Sequence, residues 1–286
     1  MARNFAKFAI TLGAGASGGY VASIYLNRDQ FINPPTFANL EPKTKNQFEW
    51  GPTIQWDHNW DQRHFAPDAE KKPKASRHLI LIRHGQYNLK GTIDSQRYLT
   101  DLGREQATLT GQRIAELNLP LTYSVCSTMT RAQQTAGLIR QSLPEDLPVK
   151  ADDPLLAEGA PYPPEPPTSF RPEHKWFSDG ARIEAAFRKY FHRADLEQEK
   201  DSYEVIICHA NVIRYFVCRA MQIPPEAWLR MSLKHASLTF VSIRPSGKVS
   251  VRGIGEAGHF PPEKLNIEIE TNKNNKERLS VIIEFE

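Results

Sequence analysis

Three stretches of the chain share one pattern, a continuous apolar run that stops abruptly at a charged or imidazole-bearing residue. The first is HLILIRHGQ, residues 78–86, whose run ends at Arg83-His84-Gly85. A short unbroken apolar run of this kind predicts a central strand buried on both faces. The second, SVCSTMTRAQQTAGLI at 124–139, predicts strand, turn and helix, with Arg131 in the first helical turn and Ala132, Thr135, Ala136 and Ile139 on one face. The third, EVIICHANVIRYFVCRAM at 204–221, predicts a strand ending at His209 and a helix with Ile213, Phe216, Val217, Ala220 and Met221 in register. Alternating strands and helices imply an α/β fold, a three-layer sandwich around a mostly parallel sheet. Its ligand site lies beyond the carboxyl ends of the strands.

Outside these units the pattern changes. Residues 8–26, FAITLGAGASGGYVASIYL, carry no charge and are flanked by Arg3, Lys7 and Arg28. About 20 residues span a bilayer, so residues 1–28 read as a single-pass membrane anchor. The alternative is a cleaved targeting peptide, because Ala14-Gly15-Ala16 resembles a small-residue cleavage site. Gly15 and Gly19 have a GxxxG spacing, which lets two helices approach closely in lipid. Residues 29–76 are polar and proline-punctuated, which marks a flexible tether, yet they hold the aromatic and acidic cluster Trp56-Asp57-His58-Asn59-Trp60-Asp61. Two tryptophans flanked by acids read either as a patch packed on their own domain or as a docking hot spot on a neighbouring subunit. The catalytic domain is assigned to 77–262. In the tail, 263–286, alternation at Leu265–Glu270 and Leu279–Glu286 predicts a hairpin or added strands.

Composition narrows the classes. At 286 residues, one substantial α/β domain plus extra segments is the economical reading. A net charge of +3 over 24% charged residues is too evenly mixed for a nucleic-acid surface. Cys126, Cys208 and Cys218 form no CxxC pair, and no disulfide framework or zinc site is read from them.

Taken singly, an arginine or histidine near a strand end is more often structural than catalytic. Arg83, His84, Arg131 and His209 converging at neighbouring strand ends form a different object. Forked guanidinium donors there could hold a phosphate dianion beside an imidazole.

These residues carry a family resemblance. Leu81-Ile82-Arg83-His84-Gly85-Gln86 resembles the RHG signature of the histidine phosphatase (phosphoglycerate mutase) superfamily. Tyr98-Leu99-Thr100 with Gly103, Gln106 and Ala107 resembles the segment that follows it. Ser127, Arg131-Ala132 and Thr135-Ala136 resemble the SxxxRAxxTA element, and Leu156 to Gly159 and Cys208-His209-Ala210 complete the order. Across about 77–262, GARIEAAFRKYFHRAD and the pentad His209 to Ile213 bring the chain nearest to mitochondrial members acting on phosphoserine and phosphothreonine in proteins.

The resemblance implies His84 as nucleophile, forming a phosphohistidine without metal or cofactor. Arg83, Arg131 and His209, with His84, bind phosphate, and Glu158 is the acid for the leaving alkoxide and then the base for water. It further implies a WDxNWD motif, here Trp56, Asp57, Asn59, Trp60 and Asp61, that joins catalytic domains into an active homo-oligomer. The expected location is a mitochondrial membrane, the outer one favoured. Two other readings are a phosphoglycerate mutase or sugar bisphosphatase, and a membrane adaptor that only binds phosphorylated partners. The proline-rich stretch 161–172, PYPPEPPTSFRP, predicts a stiff extended rim with an open approach, which suits proteins better than small sugar phosphates.

Overall fold

A computed structural model of the chain describes residues 55–63, 72–167 and 173–265. The expected membrane anchor at 8–26 and both alternating stretches of the tail, apart from Leu265, lie outside the described residues.

Five strands form one sheet: β1 (Arg77–Arg83), β2 (Tyr123–Cys126), β3 (Ser202–Cys208), β4 (Leu238–Ile243) and β5 (Val249–Glu256), in the order β2-β3-β1-β4-β5. The helices are α1 (Asp101–Glu116), α2 (Thr130–Arg140), α3 (Glu173–Tyr190) and α4 (Ala210–Ala220). Each predicted strand–helix unit is present, and alternation along β1 explains the layering. Leu79 and Leu81 face a core shared with Ile183, Phe187, Ile213 and Phe216 of α3 and α4. Ile80 and Ile82 face the other side, with Ile114, Ala132, Ala136 and Ile139 of α1 and α2. Burying each of these four strand side chains contributes roughly 1.5–3 kcal/mol, so a one-residue slip in register would misplace both faces.

The sheet corrects the expectation of a mostly parallel one. β1 pairs parallel with β3, and β3 with β2, but β4 pairs antiparallel with β1 and β5 antiparallel with β4. The sheet is therefore mixed. Antiparallel strands need only a short connection, and here the residues 244–248 supply it, with Gly247 at φ +81°. That left-handed turn is open to glycine at no steric cost.

Segment 56–63 is seated on the catalytic domain of its own chain. Trp60 is 7% exposed; its Nε1 donates to the Gly247 carbonyl at 2.8 Å, and its ring lies 6.0 Å from that of Phe187. The side chain of Asp61 accepts from the Arg193 backbone N–H at 2.8 Å and from its Nε at 3.0 Å. Burial opposes ionisation of Asp61, but the bonds from Arg193 outweigh it and hold the carboxyl below its ordinary range. Asp57 and Gln222 exchange two hydrogen bonds, Asp57 N–H to Oε1 at 2.7 Å and Nε2 to the Asp57 carbonyl at 2.9 Å. Trp56 packs half-buried on the same core, whereas Asn59 stays exposed.

Candidate active site

The carboxyl ends of β2, β3 and β1 lie side by side, and each releases a polar residue at the same edge. His84 follows β1, His209 follows β3, and Ser127 follows β2 one helical turn before Arg131. Because β4 runs the other way, the residues before it reach the same edge, and His235 joins the group. The ring centroids of His209 and His235 lie 5.1 and 5.7 Å from that of His84.

The protonation of His84 can be read from its partners. Nδ1 lies 2.8 Å from the Gly85 carbonyl, which only accepts, so Nδ1 carries the proton. Arg131 Nε, which only donates, lies 3.2 Å from Nε2, so Nε2 presents its lone pair. The imidazole is thus neutral, with its nucleophilic nitrogen already beside a guanidinium. Arg83 gives NH1 to the Leu233 carbonyl at 2.6 Å and NH2 to His235 Nε2 at 2.9 Å, which by the same logic makes His235 Nε2 an acceptor. His209 Nε2 lies 2.9 Å from Ser127 Oγ. His84 and His209 are wholly buried, and Arg83 and Arg131 nearly so.

The local backbone explains the surrounding sequence. Thr135 accepts from the Gly85 N–H at 3.0 Å and donates to the Arg131 carbonyl at 2.7 Å, tying the loop after His84 to the helix that carries Arg131. The backbone passes Gly103 so closely that a side chain at Gly85 would meet the Gly103 carbonyl, and one at Gly103 the Gln86 carbonyl. Gln86 N–H donates to Gln106, and Thr100 caps α1 through Gly103 N–H. Glu158 follows a short 3-10 turn, Pro154–Leu156, capped by Asp153. The Asn211 N–H, in the first turn after His209, points at Glu158 Oε2 from 3.4 Å.

The structure therefore gathers His84, Arg131, His209 and Arg83 in one linked cluster, with Glu158 at the adjoining helix start. Three members escaped the sequence reading. Tyr87 sets its ring against Arg131, 4.7 Å from the guanidinium carbon, and edge-on to His84. Asp94 accepts from the backbone and hydroxyl of Thr130 at 2.8 and 2.7 Å and lies 3.6 Å from Arg131 NH1. His235 is the third. Tyr87 lies three residues after His84 and was legible as a neighbour, and His235 needed the direction of β4, but no pattern marks Asp94. The cysteines are poor rival nucleophiles, since burial lifts the Cys126 thiol to about 12 and the Cys218 thiol to about 11.

This fold and site define a histidine phosphatase. The model of the histidine phosphatase superfamily (branch 1) matches residues 79–158 and 166–253, and the chain belongs to that family. Among curated relatives, the chain is 51% identical to the mitochondrial serine/threonine-protein phosphatase PGAM5 of Xenopus laevis over 75% of this chain and 84% of that one. It is 44% identical to the human protein of the same name over 90% of this chain and 97% of that one. Among solved structures, YhfR of Bacillus stearothermophilus shares the fold, with a TM-score of 0.50 at 20% identity, covering 64% of this chain and 98% of that one.

Proposed function

We propose that this chain is a serine/threonine protein phosphatase that works through a phosphohistidine at His84. The observation that carries the reading is the pair of contacts on His84, Nδ1 2.8 Å from the Gly85 carbonyl and Nε2 3.2 Å from Arg131 Nε, which together favour the tautomer with its lone pair on Nε2. When a phosphorylated side chain enters, Arg131 exchanges its imidazole contact for phosphate oxygens, and Nε2 attacks phosphorus in line. Arg83, Arg131 and His209 stabilise the charge spread over the equatorial oxygens, mainly by prior positioning. Glu158 gives a proton to the departing serine or threonine oxygen as the P–O bond breaks, then takes one from the water that attacks the phosphohistidine. Each step is complete with groups of the chain, substrate and water.

The protein substrate class is supported by the relatives' names and by the surroundings of the site. Residues 161–167 run without helix, their backbone tied to Glu226, Trp228 and Arg230. Leu89, Ile93 and Tyr98, on the loop that carries Tyr87 and Asp94, are exposed apolar side chains suited to a polypeptide. The same reading places residues 8–26 as a single-pass anchor in a mitochondrial membrane, the outer one favoured. It assigns Trp56–Asp61 to a homo-oligomer formed by exchange: the motif, seated here on its own chain between Phe187, Arg193 and Gly247, is replaced there by a neighbour's, and activity rises with assembly. Protein lacking residues 1–28, assayed with EDTA against phosphothreonine peptides and sugar phosphates, should turn over the peptides. Hydrolysis of sugar phosphates alone, or complete inhibition by EDTA, would refute the reading.

A further inference from the structure

The loop that carries Glu158 is held to an unusual degree from one side. Arg182, in the middle of α3, donates NH1 to the carbonyls of Leu155, at 3.1 Å, and Ala157, and NH2 to the carbonyl of Glu158 itself at 3.1 Å. Its NH2 also lies 3.3 Å from Asp179 Oδ1, one turn earlier on the helix, and Asp179 Oδ2 accepts from the Ala160 N–H at 3.0 Å. From α4, Asn211 Nδ2 donates to the Gly159 carbonyl at 3.2 Å. Each peptide unit from Ala157 to Ala160 is thus gripped by a helical side chain. The pair is mostly buried, with 23% and 17% of the Arg182 and Asp179 side chains exposed. A side chain at Gly159 would collide with both.

We infer that Arg182 and Asp179 are positioning residues that set Glu158 for proton transfer, an inference that rests on the proposed role of Glu158. A guanidinium is planar and forks, so one Arg182 can fix several carbonyls around the catalytic residue at once, which a lysine cannot. General acid catalysis requires the proton donor within hydrogen-bond reach of the leaving oxygen. A loop free to shift by an ångström would lose that reach while leaving His84, Arg83, Arg131 and His209 untouched. The clamp therefore acts through the protons that Glu158 moves, one supplied as the P–O bond breaks and one taken later from water, and not through the groups that hold the phosphate. Because kcat/KM reports only as far as the phosphohistidine, it isolates the first of these.

That division gives a readout that a merely structural role would not move. An alkoxide leaving from phosphothreonine needs a proton, whereas p-nitrophenolate leaves readily without one. In Arg182→Lys, Arg182→Ala and Asp179→Asn, kcat/KM on a phosphothreonine peptide should fall by about 100-fold for the arginine variants and about tenfold for Asp179→Asn. On p-nitrophenyl phosphate the loss should stay within about threefold. In a Glu158→Gln background, Arg182→Lys should add almost nothing on the peptide, because the acid it positions is already gone. Equal losses on both substrates, or losses that multiply in the double variant, would overturn the clamp. A wild-type enzyme inert to every phosphopeptide would overturn the proposed substrate class instead, and the clamp would then be judged on a simple alkyl phosphate against p-nitrophenyl phosphate.

Discussion

At the amino ends of β1 and β3 the buried guanidinium of Arg77 faces the buried carboxylate of Glu204, whereas at the carboxyl ends of the same strands buried guanidiniums lie against imidazoles. Arg77 Nε and NH2 reach the two Glu204 oxygens at 2.7 and 2.5 Å, and Tyr123 and Ser202 give their hydroxyls to the same carboxylate. Burial works against ionisation of Glu204, but the bonds from Arg77 prevail and hold its carboxyl below the ordinary range. That end answers each charge with an opposite one and holds the strands in place. At the other end, Arg83 meets His235 and Arg131 meets His84, an arrangement that gathers positive charge and becomes most favourable when a phosphate enters. The same strands thus spend buried charge on stability at one edge and on chemistry at the other, as expected where strained or costly features cluster at functional sites.

The sharpest way to break this comparison is to delete one group at each end. His84→Ala should lower turnover by about 10,000-fold or more, as expected for a removed nucleophile. Its loss of stability should stay at about 1–3 kcal/mol, below that of the carboxylate deletion at the other end, because removing a neutral imidazole leaves an unpaired Arg131 donor but no opposite charge taken away. Glu204→Leu should do the reverse: leaving Arg77 buried without its partner costs about 3–5 kcal/mol, while kcat/KM of the folded fraction stays near wild type. Denaturant unfolding and initial rates on the same preparations check both. A destabilised His84→Ala with a stable Glu204→Leu would dissolve the contrast.

A smaller effect is expected where segment 56–63 meets the domain. The folded-state carboxyl of Asp61 lies below its ordinary value, so its contribution to docking is fully present above about pH 4 and is lost as pH falls through the depressed value. Acid titration followed by tryptophan fluorescence, with Trp60→Phe subtracted, should show Trp60 becoming exposed in that range. In Asp61→Asn the exposed signal should already be present at neutral pH. A Trp60 signal identical in wild type and Asp61→Asn at every pH would show that the Arg193 pair contributes nothing to docking.

Much of this was legible from the chain alone, for identifiable reasons. His84, Arg83 and His209 stand where fully apolar runs stop, and a two-sided strand must end at its polar terminus, so position and chemistry coincide. Arg131 follows from the periodicity of Ala132, Thr135, Ala136 and Ile139, which fixes the helix and hence its first turn. Glu158 sits in a loop with no period at all, and only the family resemblance singled it out. The β4–β5 hairpin was missed although Arg244-Pro245-Ser246-Gly247-Lys248 between two alternating runs is a turn signal. That omission also hid His235, since a parallel fourth strand would have put it at the far edge of the sheet. Asp94 is a lone acid in a polar loop, and its contact with Arg131 arises from tertiary folding that no local pattern encodes. The burial of Trp60 and Asp61 on the domain depends on Gly247 and Arg193, both far away in sequence.

Phosphoryl transfer in this site requires His84 to act as a neutral imidazole through Nε2. Rapid acid-free quenching of wild-type enzyme during turnover of a 32P-labelled phosphothreonine peptide, followed by digestion and assignment of the phosphohistidine isomer, tests this directly. The predicted result is label on the peptide containing His84, attached at Nε2 and labile to acid. Label at Nδ1 of His84, on another residue, or nowhere while turnover proceeds would contradict it.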